Sequence, residues 1–213
     1  MPPRRRTYED VVRIAEAVLR SRRIRHVFVG GIAVLAFGRQ RATSDLDVIA
    51  DYRPEDAPFL EREFRRHGFL GSAQDLTDAL ADRSHCTIED TRSTYRIDLV
   101  PATDPARKDA IATSRRVDLG RRLGYIPVAS PEHTIVMKLR YGSEQDVEDA
   151  LAILASQAGR LDVRRMRGFA RERGVLRELR GLELTARTYG VDRPKRRRGA
   201  RAGGTRTSSR KQP

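Results

Sequence analysis

The stretch GGIAVLAFGRQRATSDLDVIADY, residues 30–52, decides how this chain is read. It opens on a glycine pair, passes through an apolar segment and the polar connection RQRATS, and ends in Asp45-Leu46-Asp47 just ahead of Val48 and Ile49. On a β-strand, residues i and i+2 point to the same face. Asp45 and Asp47 therefore project together, while Leu46 and Val48 face a core. Two carboxylates this close repel each other, and without a cation at least one pKa rises. The same pair makes a strong site for a hard divalent cation such as Mg²⁺. Taken alone, D-x-D also fits an exposed strand face, or the metal site of a sugar-nucleotide glycosyltransferase. Its neighbours have to decide.

Upstream, HVFVG (26–30) is a β-branched and aromatic run ending in glycine, which reads as a strand. GIAVLAFG then reads as a short apolar helix bounded by Gly38. Gly30 and Gly31 lie at the join, where glycine lets backbone N–H groups approach a phosphate with the helix N-terminus behind them. Downstream, TYRIDLVPA carries Asp98 between Ile97 and Leu99. An acid in the middle of an apolar strand is costly to bury unless it is paired or metal-bound; Arg92 and Arg96 are the alternative partners. Three carboxylates on neighbouring strands beside a phosphate-binding turn suit two-metal phosphoryl or nucleotidyl transfer.

The remaining pattern is mixed α/β to about residue 128. TYEDVVRIAEAVLRSRRI starts as a helix, with Thr7 as N-cap and Asp10 three residues on. RPEDAPFLEREFRRHG is a helix with Phe59, Leu60 and Phe64 on one face, and SHCTIED pairs as a strand with TYRIDLVPA. DPARKDAIAT starts a helix at Asp104, and RRVDLGRRLGYIPVAS folds as two short strands about a turn. From Ser130 the pattern is helical: SPEHTIVMKLR, SEQDVEDALAILASQAG with a capping box at Ser143 and Asp146, LDVRRMRGFARERG, and VLRELRGLELTARTYG. The expected organisation is an α/β core over 1–128, a helical part over 129–190 and a disordered arginine-rich tail over 191–213.

Composition excludes several classes. No apolar run approaches the length a bilayer needs, and no apolar signal region follows the basic N-terminus. One cysteine, Cys86, rules out a disulfide framework within the chain and fits a reducing cytoplasm. Cys86 reads as a small core residue, since its neighbour His85 points the opposite way on a strand; His26, His67 and His133 show no metal-ligand spacing either. The net charge of +14 is uneven. The segment after Asp192 has nine Lys or Arg and no acid, which leaves +5 for residues 1–192. That tail reads as an electrostatic arm for nucleic-acid phosphates, or as a solubilising tail shaped by arginine-biased composition.

With these residues in hand, the chain resembles the DNA polymerase beta-type nucleotidyltransferase superfamily. Gly30-Gly31, thirteen residues, then Asp45-Leu46-Asp47, matches the superfamily's first motif, and Asp98 in RIDLV matches its third carboxylate. GGxAxxxxGxxRxTxDLD is most similar to the AbiEii-type and minimal nucleotidyltransferase branches. Downstream, Lys138, Asp146 and Asp149 resemble the helical K…D-x-x-D motif of the AbiEii-type branch, with Gln145 where that branch commonly has a basic residue. The resemblance implies a mixed-sheet fold and Mg²⁺ (or Mn²⁺) held by Asp45, Asp47 and Asp98. It implies a nucleoside triphosphate as substrate, with Asp98 also drawing the proton from the acceptor hydroxyl. Gly30 and Gly31 would cradle phosphates, with Lys138, Arg41 and Arg39 as positive contacts. A toxin-like member would act on RNA, such as a tRNA end, and have an antitoxin partner; a drug-modifying member would want an acidic acceptor pocket. Residue by residue, plainer readings stand beside these: Asp146 as a capping residue, Asp149 in a surface ion pair on its own helix, and Lys138 as a snorkelling lysine. The alternative function is a non-catalytic nucleotide- or nucleic-acid-binding protein on the same fold.

Overall fold

A computed structural model describes residues 5–188; the expected tail, 191–213, lies outside them. Thr7 caps helix α1 (Tyr8–Ser21) in a reciprocal box with Asp10. Strand β1 (His26–Phe28) leads into α2 (Gly30–Phe37), and β2 (Asp45–Ala50) follows the polar connection. A 3-10 turn at Pro54–Asp56 enters α3 (Ala57–Arg66). After β3 (Phe69–Leu70), α4 (Ala73–Asp82), β4 (Cys86–Asp90) and β5 (Arg96–Pro101) come α5 (Pro105–Ala112), β6 (Arg115–Asp118) and β7 (Tyr125–Val128). The chain continues as α6 (Pro131–Tyr141), α7 (Glu144–Ser156), α8 (Val163–Glu172) and α9 (Leu176–Thr188). The sequence reading passed over α4 and β3. Helix α4 is held by a capping box at Ser72 and Asp75 with Leu76 and Ala79 buried, a local signal of the ordinary kind. Strand β3 has two residues and exists only through its pairing with β4.

The seven strands form one mixed sheet in the order β3-β4-β5-β2-β1-β7-β6. Strands β2 and β5 pair in parallel, as do β1 and β7, and the other neighbours are antiparallel. Alternation sorts the side chains. Leu46, Val48, Ile97 and Leu99 enter the main core, which continues through Ile135, Val136, Ile153 and Leu179 of the helical part. Val27 and Ile49 face the other way, onto a smaller cluster with Ala102, Ala110 and Ala129. Asp47 of β2 lies on that second face, opposite Asp98 of β5. Among the described residues no helix is long and apolar enough to cross a membrane.

One buried charge ties the helical part to the loop before β2. Asp149, on α7, is fully shielded, and the expectation of a surface ion pair on its own helix is corrected. Its carboxylate accepts from Arg39 Nε at 2.9 Å and Arg41 Nη1 at 2.6 Å, and Lys138 Nζ lies at 3.2 Å. Helical spacing along α7 points to partners on α7; these come from residues more than a hundred positions away and from α6. Burial alone would raise the Asp149 pKa, but the hydrogen bonds from Arg39, Arg41 and Lys138 outweigh it and hold it below the ordinary 3.8. Stabilisation from this group is therefore complete above that ordinary value and is lost as pH falls through the lower folded one. Asp149→Ala leaves three cations around an empty position. Urea unfolding at neutral pH should show a loss of about 3 kcal/mol, the low end for breaking a buried pair because Arg39 reaches solvent. The deficit relative to the parent should shrink in acid.

Candidate active site

The site begins with register. In the parallel pairing of β2 with β5, Asp47 stands opposite Asp98 and Asp45 opposite Arg96. Asp98 is also opposite Thr87 of β4, whose hydroxyl donates to Asp98 Oδ1 at 2.7 Å. The expected convergence of Asp47 and Asp98 on one face is present. Asp45 is on the same edge but is engaged: Ser44 Oγ donates to its Oδ1 at 2.9 Å and Arg96 Nη2 to its Oδ2 at 3.0 Å. Arg96 Nε lies 3.7 Å from Asp98 Oδ2, so this half-exposed guanidinium stands between the two outer acids. Among the described residues no three His, Cys, Asp or Glu already converge as a closed metal set.

Asp47 is where charge is least compensated. Burial, then Asp98, then Asp45 raise its pKa above 3.8, against weaker opposing influences from Lys138 and Arg41. An acid with a raised folded pKa costs stability as pH rises from 3.8 through the folded value, because the ionised form is the disfavoured one. A divalent cation relieves that cost. The chemistry of Asp47 and Asp98, paired hard oxygen donors with excess negative charge, fits Mg²⁺ or Mn²⁺.

The glycine pair has a steric reason at each position. Gly30 has φ +61°, and a Cβ there would lie 2.0 Å from Asp47 Oδ2. Gly31 is buried, and a Cβ would meet Thr43 Oγ1 at 2.9 Å. Helix α2 starts from Val29 with no side-chain cap, so its first N–H groups face the Asp47 end of the sheet unmasked by a capping oxygen. Val29 N–H is spent on Asp47 O at 3.0 Å, which pins the turn to β2.

Lys138, Arg39 and Arg41, read from sequence as phosphate contacts, have protein partners. All three meet Asp149, and Lys138 Nζ also lies 2.6 Å from Asp146 Oδ1. Asp146 keeps its capping role, receiving Ser143 Oγ at 2.7 Å. Lys138 is buried yet lines a small recess with Gly30, so its charge acts next to the α2 N-terminus from a fixed place.

Asp47 and Asp98 open into a cleft of about 480 Å³ between the sheet, α5 and α6, lined also by His85, Asp104, Arg107, Arg140, Tyr141 and Arg173. Sequence reasoning missed most of these. A signal was present: His133, Met137, Arg140 and Tyr141 recur at helical spacing on α6 and all line the cleft, while Ile135, Val136 and Leu139 face the core. His133 stacks on Phe169 at 4.9 Å, and burial pushes its pKa down to about 4, so it is neutral at physiological pH. Cys86 faces the core as expected while His85 faces the cleft; burial raises the thiol to about 11, which makes it unreactive.

No protein-family model matches the chain, and no curated protein matches it. Solved structures do. The crystal structure of ANT(2'')-Ia in complex with adenylyl-2''-tobramycin superposes with a TM-score of 0.54 and 20% identity, over 76% of this chain and 95% of that one. The solution structure of the antibiotic-resistance factor ANT(2'')-Ia gives 0.51 and 16%, over 84% and 94%. A nucleotidyltransferase-like protein from Paracoccidioides brasiliensis gives 0.49 and 16%, over 80% and 90%. At this identity the likeness concerns architecture: the chain has the mixed α/β nucleotidyltransferase fold.

Asp47→Asn should raise the thermal unfolding midpoint at neutral pH, since it removes the uncompensated charge. Added Mg²⁺ should raise the midpoint of the parent and leave the variant where it is. A lower midpoint for Asp47→Asn would mean that the Asp47 charge is already balanced within the fold.

Proposed function

We propose that this chain transfers a nucleoside monophosphate from a nucleoside triphosphate to a hydroxyl of an anionic acceptor, with release of pyrophosphate. The observation that carries the reading is Asp47 opposite Asp98 on parallel strands, open to a cleft and adjacent to an uncapped, glycine-started helix. Asp47 and Asp98 would hold the divalent cation, and Asp45 would join them once Arg96 turns outward. The cation, when bound, supplies neutralisation of the attacking and leaving oxygens of an in-line displacement. The residues of the chain do the rest. N–H groups at the start of α2 orient the triphosphate. Lys138 adds positive charge from its buried position. Asp98, aligned by Thr87, accepts the acceptor hydroxyl's proton as the oxygen bonds to the α-phosphorus and the bond to the bridging oxygen breaks.

Support for an anionic acceptor comes from the cleft wall. Arg107, Arg140 and Arg173 line it, and Arg140 makes no ion pair among the described residues. With Asp47 and Asp98 committed to the cation and Asp104 paired to Arg107, Arg140 and Arg173 would leave the wall positive toward a cationic small molecule, such as a drug-modifying member would take. ANT(2'')-Ia is a protein whose crystal structure holds a small adenylylated product; the arginines favour RNA for this chain.

The direct test incubates the protein with Mg²⁺ and each α-labelled nucleoside triphosphate, with and without total RNA. Label should enter RNA with one nucleotide preferred, and pyrophosphate should appear in equal amount. Asp47→Ala should abolish transfer, and Asp98→Asn should lower kcat by about 10²-fold or more, with the fold retained. Unchanged labelling by Asp47→Ala would refute the assignment.

A further inference from the structure

We infer that an arginine-lined groove outside the cleft is the docking surface for a single-stranded polynucleotide, one end of which supplies the acceptor hydroxyl. The role of the bound strand rests on the transfer reading above; its binding does not. The groove runs between α1, the C-terminal end of α3 and the β4–β5 turn, and is lined by Arg5, Arg6, Arg13, Arg66, His67 and Arg92. Five arginines face a single acid, Asp10, in a recess of about 570 Å³.

This imbalance is local. The recess beyond the other end of α1 sets four arginines against three acids, Asp51, Glu55 and Asp56, and Arg22 and Arg25 there are paired with Asp56 and Asp51. Arg115, Arg165 and Arg167 are paired with Glu132, Asp109 and Glu183. In the groove, Arg5 and Arg92 have no ion pair among the described residues. Arg13 and Arg66 meet only acids one turn away on their own helices and remain exposed, pairs that contribute little and yield readily to a phosphate. Arg6 is different. It is buried against Asp90 and lies over the Phe69 ring, so it anchors the groove floor to the β4–β5 hairpin.

Position links the groove to the site. The turn at 91–95 joins β4 to β5, and β5 starts at Arg96, opposite Asp45. Asp98 lies three residues beyond Tyr95, about 10 Å at strand rise. Arg92 and half-buried Tyr95, edge-on to Tyr8 and packed on the core face, lie at the strand end beside the groove, while half-exposed Arg96 and Asp98 share the opposite face, so the way from groove to site passes around the start of β5. Cations for phosphates, with an aromatic edge near them that a base can meet, is how proteins hold single strands without sequence preference. A lipid surface has no use for a recess or for the aromatic step.

The test uses the full chain in the transfer-dead Asp47→Ala background, so that binding is read without turnover. Fluorescent single-stranded RNA is titrated over a range of NaCl by anisotropy, with and without Arg13→Ala, Arg66→Ala and Arg92→Ala together. The basic segment after Asp192 is identical in both proteins and cancels. Removing three phosphate contacts should make the slope of log K against log salt shallower by about 2 and lower the affinity at low salt by about tenfold or more, with the unfolding midpoint unchanged. Equal affinity and equal slope would overturn the inference. So would loss of binding to phosphatidylserine vesicles with RNA binding intact. If RNA binding depends on the arginines but the parent protein, without the Asp47→Ala change, releases no pyrophosphate from any nucleoside triphosphate with RNA present, the groove stands and the transfer reading falls. Pyrophosphate release with a small hydroxylated compound and none with RNA would overturn the acceptor assignment.

Discussion

The parallel pairing of β2 with β5 is the constraint on which the rest depends. Its register puts Leu46 and Val48 beside Ile97 and Leu99 in the core and leaves Asp47 opposite Asp98 on the other face. A one-residue slip of β2 would turn Asp45 and Asp47 into the core and Leu46 and Val48 out of it, so hydrophobic burial itself enforces the acidic pair. Charge repulsion at Asp47 is tolerated because the core on the far side of the strand is bought with the same backbone. The site holds a modest electrostatic strain that a bound cation would relieve, and the fold supplies the stability to hold it.

The loop between α2 and β2 must be held for this to work, since it sets where Asp45 begins. Asp149 does that from the helical part. Its buried carboxylate gathers Arg39, Arg41 and Lys138, so the polar connection 39–44 is moored to α7 and α6 as well as to the sheet. The helical part is therefore more than a lid on the cleft. It supplies the cleft wall through one face of α6, extends the main core through another, and fixes the entry to the acidic strand through α7. The same basic residues that look like phosphate contacts in sequence act here as counter-charges to a buried acid. Lys138 alone combines that duty with a place beside the α2 N-terminus.

What the sequence determined by itself was local. Strand alternation in DLDVIA and RIDLV, the glycine pair, and the caps at Thr7, Ser130 and Ser143 are short-range features, governed by backbone sterics and by hydrogen bonds within a few residues, and each is present as read. Only the tertiary structure decided what lies at long separation. It gave Asp45 to Arg96 across the sheet and Asp149 to three cations rather than to its own helix. It brought His85, Arg140 and Arg173 to one cleft, and Arg13, Arg66 and Arg92 to one groove. The physical reason is that Coulomb pairing and burial depend on distance in space, which spacing along the chain encodes only within a turn of helix or a pleat of strand.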